Sequence, residues 1–144
     1  MCVTTDTIIR GAIRGAALAF GLFIAAAIVI ADRGDGLKWW PFIEHIPYGD
    51  KLGHVALFGT LCFLCNLAVP AFRLRFLPRF ITAATYVLLI AISLEEIAQA
   101  FIPTRTCDLF DWLADLTGLA LGQFAAIGLL SFFPKEPVSK TKVP

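Results

Sequence analysis

Acidic, basic and amide side chains are concentrated in one short stretch that joins two strongly apolar segments of the sequence. They are Ser93, Glu95, Glu96, Gln99, Arg105, Asp108, Asp111 and Asp115. A charged side chain at membrane depth costs about 2.5–3.5 kcal/mol on insertion scales, so such groups usually face a partner or a water-filled cavity. Carboxylates that lie together can transfer protons or bind a divalent metal ion. We therefore expect the functional site in this stretch.

Helical spacing places several polar side chains on shared helix faces. Asp108, Asp111 and Asp115 stand at i, i+3 and i+7, so they line one stripe of a helix or its first turn. Asp50 and His54 stand at i and i+4 at the start of an earlier apolar segment. The sequence thus predicts polar stripes at the beginning of two different helices.

Two adjacent glutamates compete for the centre of the site. Glu96 and Gln99 stand at i and i+3, and Ser93 lies one turn before Glu96. Glu95 is offset from Glu96 by about 100° around the helix, and it could pair with Gln99 instead. We favour Glu96 as the residue that faces the centre, although spacing alone leaves the choice between the two glutamates open.

The composition of the chain is that of a membrane protein. Of its 144 residues, 58% are hydrophobic and 16% are charged, and the mean hydropathy is +0.79. A soluble domain has about 45–50% apolar and about 25% charged residues. A spanning segment needs about 20 apolar residues and must satisfy its own backbone hydrogen bonds, so each apolar block is predicted to be a helix. The predicted helices cover about 15–31, 53–69, 80–102 and 109–133.

These blocks predict an all-α membrane protein with a single domain over residues 1–144. The predicted architecture is a bundle of four transmembrane helices, followed by a polar, disordered tail at 134–144. A formal net charge of +1 gives no reason to expect a nucleic-acid partner.

The distribution of lysine and arginine predicts which side of the membrane each loop faces. Eight of these residues fall in the N-terminal segment, the second loop and the tail, and four fall in the first and third loops. Short loops rich in lysine and arginine stay in the cytoplasm. Both termini are therefore predicted to be cytoplasmic, in a bacterial inner membrane. The cytoplasmic set is Arg10, Arg14, Arg73, Arg75, Arg79, Lys135, Lys140 and Lys142, and the outward set is Arg33, Lys38, Lys51 and Arg105.

Residues on three predicted helices reach similar depths below the outer membrane boundary. Glu96 lies six positions before Ile102, and Asp115 lies six positions after Leu109. At about 1.5 Å per residue, both lie about 9 Å below that boundary, and His54 lies about 6 Å below it. The sequence therefore predicts that these side chains meet at one level.

Structural roles compete with functional ones for several of these residues. Asp50 and Asp108 precede apolar runs, so a role as a helix N-cap explains each of them about as well as a role in the functional site does. Lys51 is better explained as a residue that extends its ammonium group to the interface. Arg105 could do no more than neutralise buried acids, and a single histidine such as His54 is often a hydrogen-bonded core residue.

Small residues at helical spacing predict close contacts between helices. Gly118 and Gly122 stand four residues apart in the last apolar block, and Gly11 and Gly15 repeat this spacing near the N-terminus. Such spacing lets two helix backbones approach closely. We interpret both pairs as packing positions.

An ordered set of motifs resembles the VanZ-like family. The motifs are Asp50-Lys51-x-x-His54-x-x-x-Phe58, Ser93-x-x-Glu96-x-x-Gln99, Pro103-x-Arg105 and Asp111-x-x-x-Asp115-x-x-Gly118-x-x-x-Gly122. They cover residues 50–122, about half of the chain. The resemblance implies a small multi-helix membrane protein, from a family named for a member associated with low-level teicoplanin resistance. Asp115 departs from the family pattern, which more often has asparagine there.

The predicted binding pocket combines these motifs with the shared depth. It comprises Asp50, Lys51, His54, Ser93, Glu96, Gln99, Arg105, Asp111 and Asp115. Membrane lipids are the expected partners, together with a lipid-linked headgroup as a further candidate. No cofactor is predicted, but Asp111 and Asp115 are candidate ligands for a divalent metal ion.

Three functions compete at this stage. The resemblance implies a protein that alters the outer cell surface and thereby changes susceptibility to glycopeptides such as teicoplanin. A membrane enzyme that acts on a lipid or lipid-linked headgroup is the alternative, with His54, Glu96 and Asp111 as candidate catalytic residues. The third function is an accessory scaffold subunit, in which the buried charges only specify helix packing.

Overall fold

The computed structural model describes residues 5–39, 41, 45–69 and 81–132. Within these residues the chain is helical and contains no strand. The five helices are α1 (Thr5–Asp32), α2 (Gly36–Trp39), α3 (Gly49–Ala68), α4 (Ala83–Gln99) and α5 (Leu109–Ser131). The prediction of an all-α chain with four long helices is confirmed for the described part of the chain.

Three of the four long helices are long and apolar enough to cross a membrane. They cover Thr7–Asp32, Gly49–Ala68 and Leu109–Ser131. The fourth long helix, α4, has 17 residues. At about 1.5 Å per residue it is about 26 Å long, which is less than the hydrocarbon core of about 30 Å.

The helix ends differ from the predicted ones where polar residues extend or stop a helix. The predicted start of the first helix at 15 is wrong, since α1 begins at Thr5. Arginine is a good helix former, so an apolar run marks the part of a helix that is apolar enough to cross a membrane rather than the end of the helix. The predicted end of the third helix at 102 is also wrong, since α4 ends at Gln99. Pro103 disfavours helical backbone at Ile102 just before it.

Two other predicted regions lie outside the described residues. They are most of the basic loop that contains Arg73, Arg75 and Arg79, and the tail at 134–144.

At the start of α4, the side chain of Thr82 accepts a hydrogen bond from the backbone N–H of Thr85, which caps the helix.

Helix α3 lies at the centre of the packing. It contacts α5 most extensively, and it also contacts α1 and α4. Buried apolar side chains from all four long helices form one cluster between them. Its members are Ile24, Phe58, Leu61, Cys62, Ile92 and Leu119.

Glycines allow α3 and α5 to approach until their backbones touch. A Cβ atom on Gly118 would lie 2.7 Å from the carbonyl oxygen of Val55, and one on Gly122 would overlap the carbonyl oxygen of Gly59. The packing prediction is therefore confirmed for the α5 pair. It is wrong for Gly11 and Gly15 within the described residues, where an added Cβ would meet nothing within 4 Å.

Candidate functional site

Polar side chains meet at one end of the bundle, where α3 and α5 begin and α4 ends. We call this group the polar cluster; it comprises Asp50, Lys51, His54, Glu96, Asp108, Asp111 and Asp115. The cluster forms because the start of α3 faces the start of α5 and the last turn of α4 lies beside them. The structure thus brings together residues that lie up to about 60 positions apart in the sequence.

A histidine and an aspartate form a hydrogen-bonded pair that includes the most buried carboxylate of the cluster, Asp115. His54 Nδ1 lies 2.8 Å from Asp115 Oδ1, and their side chains are 17% and 1% exposed. The His54 ring also stacks on Phe58, with the ring centroids 6.2 Å apart. A carboxylate at Nδ1 favours the tautomer in which that nitrogen carries the proton, which leaves Nε2 as the other functional atom. His54 Nε2 points towards Asp50, whose Oδ1 lies 3.9 Å away.

Lys51 contacts three carboxylates at the rim of the cluster. Its Nζ donates to Asp111 Oδ1 at 2.6 Å and to Asp108 Oδ2 at 3.0 Å. Asp50 Oδ2 lies 3.5 Å from the same ammonium group. The interpretation of Lys51 as a residue that extends to the interface stays a prediction, and the structure adds these ion pairs to it. The lysine is held by carboxylates from two helices because α3 and α5 begin side by side.

Glu96 connects the end of α4 to the beginning of α5. Its Oε1 accepts a hydrogen bond of 2.7 Å from the backbone N–H of Asp108. Asp108 is the N-cap of α5, because its side chain accepts from the backbone N–H of Phe110. That N–H and the ammonium group of Lys51 lower the pKa of Asp108. Asp50 lies in the first turn of α3, whose N-cap is Tyr48, so the capping interpretation is wrong for Asp50.

Three other predicted pocket residues form their contacts outside the polar cluster. Gln99 Nε2 donates to both carboxylate oxygens of Glu95, at 2.9 and 2.8 Å. Ser93 donates to the carbonyl oxygen of Leu89 and accepts from Trp112 Nε1 at 3.1 Å, which joins α4 to α5. The third is Arg105.

Arg105 pairs with the end of α1. Its Nε lies 3.9 Å from Asp32 Oδ1, and both side chains are about one quarter exposed. Next to it, the hydroxyl group of Thr104 donates to the backbone carbonyl of Asp32. Asp32 is not among the predicted pocket residues, because no spacing rule relates the end of the first helix to a loop about 70 residues later. The ion pair and the Thr104 hydrogen bond thus connect the end of α1 to the loop before α5.

The family model for VanZ/LLP1 matches residues 29–132. This range is more than two thirds of the 144-residue chain and includes the whole polar cluster. The chain belongs to the VanZ/LLP1 family. Neither the curated proteins nor the solved structures give a significant match. The resemblance to the VanZ-like family is therefore confirmed, and it covers α2 to α5 together with the end of α1.

One group of atoms that could hold a metal ion in this VanZ/LLP1 family member includes Asp111, which is also one of the two predicted candidate ligands. Asp50, His54 and Asp111 each offer one ligand atom, and these atoms lie within 4.8 Å of one another. Asp115, the other predicted candidate ligand, contacts His54 Nδ1. One imidazole nitrogen and two carboxylate oxygens form a donor set that suits several divalent metals.

A second polar network, which was not predicted from the sequence, lies towards the opposite ends of the same helices. Thr82 Oγ1 donates to Asn66 Oδ1 at 2.5 Å, and the Thr82 backbone N–H donates to Gln123 Oε1 at 3.0 Å. Asn66 Nδ2 also donates to Thr85 Oγ1 at 3.0 Å. All four residues are buried. The signal in the sequence was the presence of amide residues, Asn66 and Gln123, inside apolar segments. Because these groups bond to one another, the network connects α3, α4 and α5 through hydrogen bonds.

Proposed function

We propose that this protein binds the headgroup of a lipid or lipid-linked precursor through the polar cluster at the extracytoplasmic face of the bacterial inner membrane. Binding there changes the outer cell surface and susceptibility to teicoplanin. The observation that carries the proposal is the buried His54–Asp115 pair beside the Lys51–Asp111 ion pair. Both pairs lie at one end of a bundle whose other surfaces expose many large apolar side chains.

The proposed topology has four membrane crossings and cytoplasmic termini. The eight-to-four distribution of lysine and arginine supports this orientation. Helix α4 is short for a crossing, but hydrogen-bonded turns follow it directly, with backbone bonds from residues 100, 101, 102 and 105. In this orientation the polar cluster faces outward, and the network around Asn66 lies towards the cytoplasm.

The exposure of the side chains supports access from the aqueous phase. Asp50 is 62% exposed and Lys51 is 30% exposed, whereas Asp111 and Asp115 lie deeper. A headgroup that approaches from the rim therefore meets the Lys51 ammonium group and the Nε2 side of His54 first. Charge-assisted hydrogen bonds from an ammonium group are strong in such partly buried settings. The rim thus supplies the Lys51 ammonium group as a donor for a headgroup oxygen and the Nε2 atom of His54 as an acceptor for a headgroup hydroxyl.

The His54–Asp115 pair also favours an enzymatic alternative. A carboxylate that orients an imidazole is the arrangement in which histidine accepts a proton from a nucleophile and returns it to a leaving group. In this second function, His54 Nε2 acts as general base on water or on a headgroup hydroxyl. The substrate is again a lipid or lipid-linked headgroup.

Susceptibility to teicoplanin, with vancomycin for comparison, tests the proposal in cells that express the chain. We expect Asp111→Asn to abolish the effect of the wild-type protein, since the substitution preserves volume and removes the charge that holds Lys51. Asp35→Asn is the matched control, because among the described residues the Asp35 side chain pairs with the exposed Lys38, outside the polar cluster. Full activity of a well-expressed Asp111→Asn variant would contradict headgroup binding and favour the scaffold function.

A further inference from the structure

Carboxylates outnumber cationic groups in the polar cluster. One lysine and one imidazole face five acids, which are Asp50, Asp108, Asp111, Asp115 and Glu96. Negative charge beside apolar helices is unfavourable unless a cation is close to it. The contacts of Lys51 offset part of this charge, and the His54 side of the cluster keeps an excess of carboxylates.

Three donor atoms on that side converge. The ligand atoms of Asp50, His54 and Asp111 lie within 4.8 Å of one another. Two ligands that each lie about 2.1 Å from one metal ion are at most about 4.2 Å apart. His54 Nε2 and Asp50 Oδ1, which are 3.9 Å apart, lie within this limit. The fold of α3 and α5 therefore holds the three groups close to coordinating distance, and a small shift of side chains would complete the site.

Asp115 prepares His54 to act as a metal ligand. Its Oδ1 lies 2.8 Å from His54 Nδ1, and Nε2 points towards Asp50. A metal-binding histidine normally has its second ring nitrogen bonded to a carboxylate or carbonyl group, which orients the ring and raises its basicity. The buried position of Asp115 is explained by this role.

Two buried carboxylate oxygens provide a second observation. Asp115 Oδ2 and Glu96 Oε2 have no hydrogen-bond partner among the described residues. Asp115 is 1% exposed and Glu96 is 6% exposed, so neither oxygen is hydrated from bulk water. Buried polar atoms of this kind require a donor or a cation nearby. Asp115 is bonded directly to the proposed ligand His54.

We propose that Asp50, His54 and Asp111 bind a divalent transition-metal ion of the Zn²⁺ or Mn²⁺ class, with Asp115 as the positioning residue for His54. Three protein ligands and an exposed rim leave coordination positions for water or for an oxygen of a bound molecule. The site extends the headgroup proposal but does not depend on it, because metal binding needs only the protein. Lys51 competes with the ion, since its Nζ lies close to both Asp50 and Asp111.

Metal binding to the full chain, purified in detergent and stripped with a chelator, tests this site. Calorimetry with Zn²⁺ and electron paramagnetic resonance with Mn²⁺ should show one ion per chain. We expect Asp50→Asn to weaken binding at least about tenfold, because it removes a ligand. Asp115→Asn should weaken it about 10–100-fold through His54. Lys51→Met should strengthen binding, because it removes the competing cation.

Asp35→Asn is the control for a general effect of lost negative charge, and it should leave the metal affinity unchanged. Asp50 is exposed, so Asp50→Asn tests the site even where a variant at His54 does not fold. No saturable binding by the wild-type chain, or equal affinity in Asp50→Asn, would overturn the proposal. Metal binding is measured without teicoplanin, so the metal proposal and the headgroup proposal can fail separately. A chain that binds the metal ion but does not change susceptibility to teicoplanin would contradict only the headgroup function.

Discussion

His54 and Asp115 are 61 residues apart in the sequence, yet His54 Nδ1 lies 2.8 Å from Asp115 Oδ1. The contact joins the second turn of α3 to the second turn of α5, and the aspartate is almost completely buried. A hydrogen-bonded pair of this kind fixes the rotation of one helix against the other. It therefore links the stability of the bundle to the geometry of the candidate site.

Removal of the aspartate should destabilise the bundle. Asp115→Ala leaves His54 without its buried partner, and we expect a loss of about 3 kcal/mol in the free energy of unfolding. A double-mutant cycle with His54→Ala should give a coupling energy on the order of 1–3 kcal/mol. Unfolding in mixed micelles measures both quantities. Thr117→Ala, an exposed position on α5, is the control, and a coupling energy near zero would contradict the contact.

Gly122 should be one of the least replaceable residues of α5. A Cβ atom there would overlap the Gly59 backbone, which cannot move without a shift of α3. We expect Gly122→Ala to cost about 1–3 kcal/mol of stability, as in other overpacked cores. Gly128→Ala is the matched control on the same helix, because its Cβ would meet nothing within 4 Å. Equal thermal stability of the two variants would show that α3 and α5 are farther apart.

Asp108 should make the stability of the protein depend on pH in the acid range. Its pKa is lowered from 3.8 by the backbone N–H of Phe110 and by Lys51. A carboxylate whose pKa is lower in the folded state stabilises that state above its unfolded pKa, and the contribution is lost as pH falls through the folded value. In an Asp108→Asn variant, the asparagine side chain keeps the capping oxygen but has no carboxyl group to titrate.

The wild-type chain should therefore lose more stability than Asp108→Asn when pH falls from 5 to values below 3.8. Unfolding curves of both proteins at a series of pH values in one detergent measure this difference. Other acids titrate in the same range, so the contribution of Asp108 is obtained as the difference between the curve of the wild-type chain and that of the variant. Parallel curves would show that Asp108 has no favourable contact in the folded state.

Cysteine accessibility should report the orientation in the membrane. Cys107 is exposed and lies just before α5, whereas Cys62 is fully buried. In single-cysteine variants, a membrane-impermeant maleimide should label Cys107 from outside intact cells. It should label Cys2 only after permeabilisation, because the distribution of lysine and arginine predicts a cytoplasmic N-terminus. Labelling of Cys2 in intact cells would reverse the proposed topology and place the polar cluster inside.

Features that depend on one helix at a time could be predicted from the sequence. Apolar blocks of about 20 residues predicted the long helices, because only a helix satisfies its backbone without water. The three-residue spacing of Asp108 and Asp111 placed both on the face that binds Lys51. The offset of about 100° between the two glutamates agrees with the structure, in which Glu95 bonds to Gln99 and Glu96 bonds to α5.

The partners across helices were decided only by the tertiary structure. The periodicity of a helix determines which residues share a face, but the rotation and axial position of a neighbouring helix determine which atoms meet. The contact of Gly59 with Gly122 sets that position for α3 and α5, and it brings His54 to Asp115. The pairing of Arg105 with Asp32 likewise depends on where a loop lies against α1, which no local pattern encodes.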